Sequence, residues 1–223
     1  MMRSTLFYTD KYKEIQERIK EFLNQQSSFL SSRTAQSPRA VGAAVEDILS
    51  EHFGSIIGPQ MCTKYYSHFG RMDMEDMAFE DKNGFYYAVD VKTHRLMGAK
   101  FSMPNLTSVK RLANFYKDDK KYFVMLMIGY EIQTLNVVVK EVNFVPVEFL
   151  DWSCLRIGNL GWGQIQIKNS NVIKINLGCS RKKWMIQLCN LLFEFYPKEA
   201  EKMMNERIER FRTVKQFWVN HPD

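Results

Sequence analysis

No stretch of the chain is long and apolar enough to cross a membrane. Its opening, Met1-Met2-Arg3, is soon broken by Thr9, Asp10, Lys11 and Lys13, so it lacks the continuous apolar core of a signal peptide. Cysteine is scarce: Cys62, Cys154, Cys179 and Cys189 make no CxxC pair and stand far apart, which argues against a disulfide framework and against a zinc site. No internal repeat is visible. These absences exclude a membrane partner and a secreted disulfide scaffold, and they lead to the expectation of a cytoplasmic protein. What is present is enough to fill a core: 223 residues, 45% hydrophobic, with 16 Phe, 10 Tyr and 4 Trp, near the size of one large domain over 1–223. Lys and Arg number 31 against 25 Asp and Glu, a formal charge of +6, which favours a polyanionic partner without identifying it.

Along the chain, Tyr12, Ile15, Ile19, Phe22 and Leu23 recur at helical spacing, and 25–37, rich in Ser and Gln, reads as a loop. A second helix is expected from about Val41 to Phe53, ended by Gly54, so that an N-terminal helical segment covers about 10–54. The pattern then turns extended over a sheet region of about 70–147. Met77-Ala78-Phe79 and Phe85-Tyr86-Tyr87-Ala88-Val89-Asp90-Val91 flank the turn signal Asp81-Lys82-Asn83-Gly84, which predicts a hairpin. A short helix at 108–116 is followed by strands at 122–128 and 135–145. The segment 155–177 alternates weakly around Gly158, Gly161 and Gly163, as suits a strand and loops that approach a ligand closely. From Ser180, a good N-cap, helical spacing runs to Phe195 and resumes beyond Pro197, giving C-terminal helices over about 180–218. The order describes a mixed α/β domain, a central β-sheet flanked by helices.

The hairpin carries the chemistry. Strand side chains alternate, so Asp90 and Lys92 project from one face while Val89 and Val91 enter the other. An acid, Asp76, precedes Asp90 by thirteen intervening residues. A three-residue loop at Lys82-Asn83-Gly84 sets Asp76 opposite Asp90, whereas a two-residue turn at Asn83-Gly84 sets it opposite Val91 and spoils the site. Two carboxylates and a nearby carbonyl form a hard oxygen site suited to Mg²⁺, for one ion or two, beside which Lys92 could orient or deprotonate a water. The competing reading is an exposed hairpin with a surface ion pair of little consequence. Against it, Asp90 and Lys92 interrupt an otherwise apolar strand, where an unpaired charge is costly. His94 lies on the Lys92 face but, as a lone histidine, reads as structural.

Asp76, Asp90 and Lys92 resemble the PD-(D/E)xK nuclease signature, with Glu75 where that pattern often has proline. Further pieces recur in order. Pro38 to Glu46 resembles the N-terminal active-site helix of the blunt-cutting, HincII-like and SwaI-like (EcoRV-type) branch of type II restriction endonucleases, with Glu46 matching that helix's acid. Ala88 to Thr93 followed by Met103-Pro104-Asn105-Leu106 through Lys110 is similar to the catalytic strand and its DNA-contacting continuation, and Ser180 to Trp184 is similar to a helix start of the same branch. Gly161 to Lys168 resembles its base-reading strand. The similarity covers roughly 38–215.

That resemblance implies a Mg²⁺-dependent enzyme that cuts double-stranded DNA at a short palindrome, probing it as a homodimer, leaving blunt ends and paired in function with a DNA methyltransferase. It makes Asp76 and Asp90 metal ligands, Lys92 the water-orienting base and Glu46 an acid at or behind the metal. Asn105 becomes the best amide for a base edge, with Gln164, Gln166 and Lys168 in the reading row. Arg95, Lys100, Lys110 and Arg111 are phosphate-contact candidates. A half-exposed strand with polar outer residues accounts equally for the alternation of Gln164, Gln166 and Lys168. Two other functions fit the same residues: a structure-specific repair nuclease or junction resolvase with the same core, and a DNA-binding module without chemistry.

Overall fold

The computed structural model describes residues 3–26, 37–70, 73–96, 103–133, 136–169 and 172–222, and divides into two compact units, Met1–Leu177 and Gly178–Asp223. Most of the predicted loop at 25–37, and Lys100, lie outside the described residues.

The first unit opens with helix α1, Lys11–Gln25, which buries Tyr12, Ile15, Ile19 and Leu23, one face at i, i+3, i+4 spacing. Helix α2, Pro38–Ile57, is started by Ser37, whose side chain accepts from the Ala40 amide, and by a proline in its first turn. The predicted stop at Gly54 is corrected: the helix runs four residues further, to Ile57, and is capped by Gly58, whose φ of 84° only glycine adopts freely. Gly54 serves close packing instead, since a Cβ there would sit 3.2 Å from the Tyr65 ring.

Five strands form a mixed sheet in the order β1-β2-β3-β5-β6. These are β1, Lys64–Tyr66; β2, Met77–Glu80; β3, Tyr86–Arg95; β5, Lys121–Gln133; and β6, Asn136–Pro146. All neighbours are antiparallel except β3 and β5, which run parallel and are joined through β4, Asn105–Ser108, and the short helix α3, Val109–Phe115. β3 is therefore central, and Tyr87 through Val91 are all buried, which explains its continuous apolar character. β5 is buried without a break from Tyr122 to Tyr130. Helix α1 packs on β6 and α2 on β3. The core between them is aromatic: Phe53 meets Phe144 at 5.8 Å and Phe79 at 6.2 Å, and Phe79 stacks on Tyr87 at 4.6 Å. A separate three-stranded antiparallel sheet has the order β4-β8-β7, with β7 at Leu155–Gly158 and β8 at Gln164–Ile167.

The second unit is helical. Ser180 caps α4, Arg181–Lys202, by accepting from the Lys183 amide. The expected interruption at Pro197 is also corrected, because α4 continues through it and passes by a π-helical stretch, Met203–Ile208, into α5, Glu209–Val219. Among the described residues no helix is long and apolar enough to cross a membrane.

Candidate active site

The β2–β3 hairpin adopts the register that brings its acids together. Asp81 accepts from the Gly84 amide through its carbonyl and donates its own amide to the Phe85 carbonyl, closing a three-residue loop with Gly84 at φ 74°. The ladder then pairs Glu80 with Tyr86, Phe79 with Tyr87, Ala78 with Ala88 and Met77 with Val89. Asp76, one step beyond, falls level with Asp90, and its amide donates to the Val89 carbonyl at 2.9 Å. The Asp81 carboxylate locks the loop by accepting from the amides of Asn83 (2.9 Å) and Phe85 (3.0 Å) and from the Tyr87 hydroxyl (2.9 Å).

Around Asp90 three charged groups converge, Lys92, Asp76 and Glu46. Asp90 is buried, and its Oδ1 accepts from Lys92 Nζ at 2.5 Å. Lys92 also donates to the Val91 carbonyl at 3.2 Å. Asp76 Oδ2 accepts from the Val91 amide at 2.6 Å, which fixes that carboxylate beside the strand. Glu46 reaches the cluster from α2: a Cβ on Gly42 would sit 3.0 Å from Thr93 Oγ1, so the glycine allows the helix to lie close to β3, with Glu46 one turn further along. Asp90 Oδ2 has no hydrogen-bond partner among the described residues.

The electrostatics follow. Burial pushes the Asp90 carboxyl up to about 7, opposed by Lys92 and reinforced by the charges of Asp76 and Glu46. Glu46 is raised as well, first by burial and then by Asp76, with Lys92 opposing. Three acids that resist sharing a site are relieved by a bound cation, and their donors are the hard oxygens that Mg²⁺ takes. Among the described residues no group of three His, Cys, Asp or Glu side chains is set together as a metal-holding cluster. A cleft adjoins the site, and its lining carries six acids, Glu46, Asp47, Glu51, Asp73, Glu75 and Asp76, beside neutral residues and His68. It favours cations and would oppose a phosphate backbone unless neutralised.

The sign of the linkage is testable. The folded chain keeps the Asp90 proton up to about pH 7, whereas the unfolded chain releases it near 3.8. Over that window the folded state binds more protons, so Asp90's contribution to the stability of the metal-free protein is lost as pH rises from about 4 to about 7. Urea unfolding in EDTA at pH 5 and pH 8, read as the difference from Asp90→Asn, which cancels other titrating groups, is expected to show the wild type losing ground at pH 8. An unchanged difference contradicts the burial of this carboxylate.

The remaining candidates separate into groups. Gln166 and Asn105 meet across β8 and β4, where Gln166 Nε2 donates to Asn105 Oδ1. Gln164 is half-buried, level with Gly158 and Ser108. Lys168 lies just past the end of β8, and its ammonium is held by the Ser153 carbonyl at 2.9 Å. Arg95 ends β3 level with Tyr130. Lys110 lies over the Trp162 ring at 4.9 Å, and Arg111 donates to the Asp73 carbonyl at 3.3 Å. His94 is buried, and burial lowers its pKa. One residue escaped the sequence reading: Arg156 of β7, whose Nε donates to Gln166 Oε1 at 2.8 Å. Only the pairing of β7 with β8 identifies it. Compared with known proteins, the chain matches no protein-family model and no curated protein.

Proposed function

We propose that this chain is a Mg²⁺-dependent endonuclease of the PD-(D/E)xK type that hydrolyses phosphodiester bonds of double-stranded DNA, acting as a two-fold symmetric type II restriction enzyme. The observation that carries the reading is Asp90: a buried carboxylate on a central strand, with one oxygen on Lys92 and the other without a partner among the described residues, facing the charges of Asp76 and Glu46. Burying such a group is costly unless it serves a ligand, and no apolar packing role explains it.

Asp76 and Asp90 would hold the ion, with Glu46 at its edge. A bound Mg²⁺ would polarise the scissile phosphate, ease deprotonation of water and neutralise charge at the leaving 3′ oxygen. Asp76 is pre-oriented, because the Val91 amide already fixes one of its oxygens. Lys92, two residues beyond Asp90 on the same face, would orient the attacking water, and would take its proton only after first giving one up to solvent; as an ammonium it donates to the neighbouring carboxylate and to the Val91 carbonyl. The burial of Asp90 strengthens its own interactions in the site. Two copies related by a dyad would present one such site to each strand of a palindrome. A cognate methyltransferase would protect host DNA without a stable complex.

The test is incubation of the purified protein with plasmid and viral DNA in Mg²⁺, beside Lys92→Ala, with sequencing of the ends. Discrete ends at one short palindrome, reduced about 10²- to 10⁴-fold in the variant, are expected. Cutting governed by DNA shape would replace this reading with a structure-specific repair nuclease or junction resolvase, and binding without any cleavage would make the chain a DNA-binding module.

A further inference from the structure

Three polar side chains on three adjacent strands form a directional relay. In the β4-β8-β7 sheet, Gln166 is level with Asn105 on one side and with Arg156 on the other. Ile165 and Ile167, which alternate with the glutamines, are fully buried, so Gln166 stands on the opposite, outer face. Both ends of its amide are engaged: Oε1 accepts from Arg156 Nε and Nε2 donates to Asn105 Oδ1. Arg156 dictates this polarity. A guanidinium has only donors, so it must face an oxygen. The Gln166 oxygen therefore turns to β7, its nitrogen turns to β4, and Asn105 must answer with its own oxygen, which leaves the Asn105 Nδ2 donors pointing away from the relay. Gly158 makes room for it, since a Cβ there would lie 2.6 Å from the Gln166 amide.

We propose, on the footing of the nuclease reading above, that Arg156 is a guanine-reading residue, and that Gln166 is a positioning residue and not a base reader. The Arg156 Nε is spent on Gln166, and the two terminal nitrogens of the guanidinium remain as a fork, the shape that pairs with O6 and N7 of guanine in the major groove. At the other end, the outward Asn105 Nδ2 meets an acceptor edge, N7 of a purine or O4 of thymine. The row thus presents donors at both ends and selects a G·C pair under Arg156. The sheet position suits this, because a pleated strand surface with exposed polar tips is one of the shapes a major groove admits.

The test is selection of bound duplexes from a random library by the full chain carrying Lys92→Ala, in Mg²⁺, followed by the same selection with three further variants in that background. The parent is expected to enrich a site containing a strongly required guanine. Arg156→Ala is expected to relax that one position by about tenfold or more, leaving the others. Gly158→Ala displaces only the flexible end of Gln166, so the chain should keep its melting temperature while the guanine preference weakens. Gln166→Glu keeps an acceptor for Arg156 but offers no donor to Asn105, whose amide must turn over and present its oxygen. The guanine should then persist while the Asn105 position switches toward a donor edge, N6 of adenine or N4 of cytosine. That switch distinguishes positioning from loss of structure. A parent that selects a site which Arg156→Ala leaves unchanged overturns the proposal and spares the nuclease reading. A parent that selects no sequence at all overturns both the proposal and the site-specific reading beneath it.

Discussion

Asp90→Asn is expected to abolish Mg²⁺-dependent cleavage while raising the melting temperature of the metal-free protein at pH 8. The two effects share one cause. Asn keeps the shape of the side chain and an acceptor for Lys92 Nζ, but removes a charge that burial, Asp76 and Glu46 all disfavour. Above pH 7 the wild type carries that charge against its burial, offset only in part by Lys92, so its removal stabilises the fold, by a few degrees for a chain of this size. For the proposed reaction the same charge would be indispensable, because the ion it would hold would contribute several kcal/mol of transition-state stabilisation, about a thousandfold or more in rate. Calorimetry in EDTA and in Mg²⁺ separates the components. Mg²⁺ should raise the melting temperature of the wild type at pH 8 and leave Asp90→Asn unmoved. A variant that melts lower than wild type in EDTA at pH 8 would show that Asp90 is held by structural partners and is not strained for function. The trade of stability against activity is the pattern expected of a site built to bind something.

Much of this site is legible from local sequence because the hairpin is a local object. The Asp81-Lys82-Asn83-Gly84 signal and the two extended runs are contiguous, and the only open question, a loop of two residues or three, was settled by the Asp81 carboxylate, which captures the Asn83 and Phe85 amides together. Glu46 was placed through the likeness of its helix to a known one; the physical reason for its position, the contact of Gly42 with Thr93, joins residues 51 positions apart and leaves no local trace. Where the reading failed, tertiary packing overrode a local rule. Gly54 looked like a helix stop, but the Tyr65 ring needs its missing Cβ, and Gly58 supplies the stop instead. The three-residue edge strand β1 has no periodicity long enough to recognise. The face of Gln166 was legible from strand alternation, but alternation says nothing about neighbours. Its partners come from β4, 61 residues away, and from across the glycine-rich β7–β8 turn, so its amide is engaged on the sheet.

Asp81→Ala, at the far end of the hairpin from the acids, is expected to cost about 3–5 kcal/mol and to weaken cleavage beyond what that loss of stability explains. Three donors lose their acceptor at once: the Asn83 amide, the buried Phe85 amide and the buried Tyr87 hydroxyl. Each bond to a charged acceptor contributes roughly 1–2 kcal/mol net, and the two buried donors left behind bear a desolvation cost. Among the described residues the Tyr87 hydroxyl then keeps Ser4 Oγ alone, at 2.7 Å. Ser4 in turn takes its place through Tyr122, whose hydroxyl accepts from the Ser4 amide, so the loss spreads to the anchoring of the N-terminal segment. The consequence for the site is geometric. A strand's side chains reverse faces with each residue of slip, so a loop freed from its three-residue form admits pairings that set Asp76 level with Val91. Urea unfolding of Asp81→Ala beside Lys82→Ala, whose side chain is exposed on the same loop, measures the cost, and Asp81→Asn should recover part of it by keeping one oxygen for the two amides. Cleavage rates taken well below each variant's melting temperature then report the register alone. A drop in Asp81→Ala but not in Lys82→Ala ties the loop to the acids, whereas equal rates in both would mean that β3, held along its length by β5, keeps the register without help from the turn.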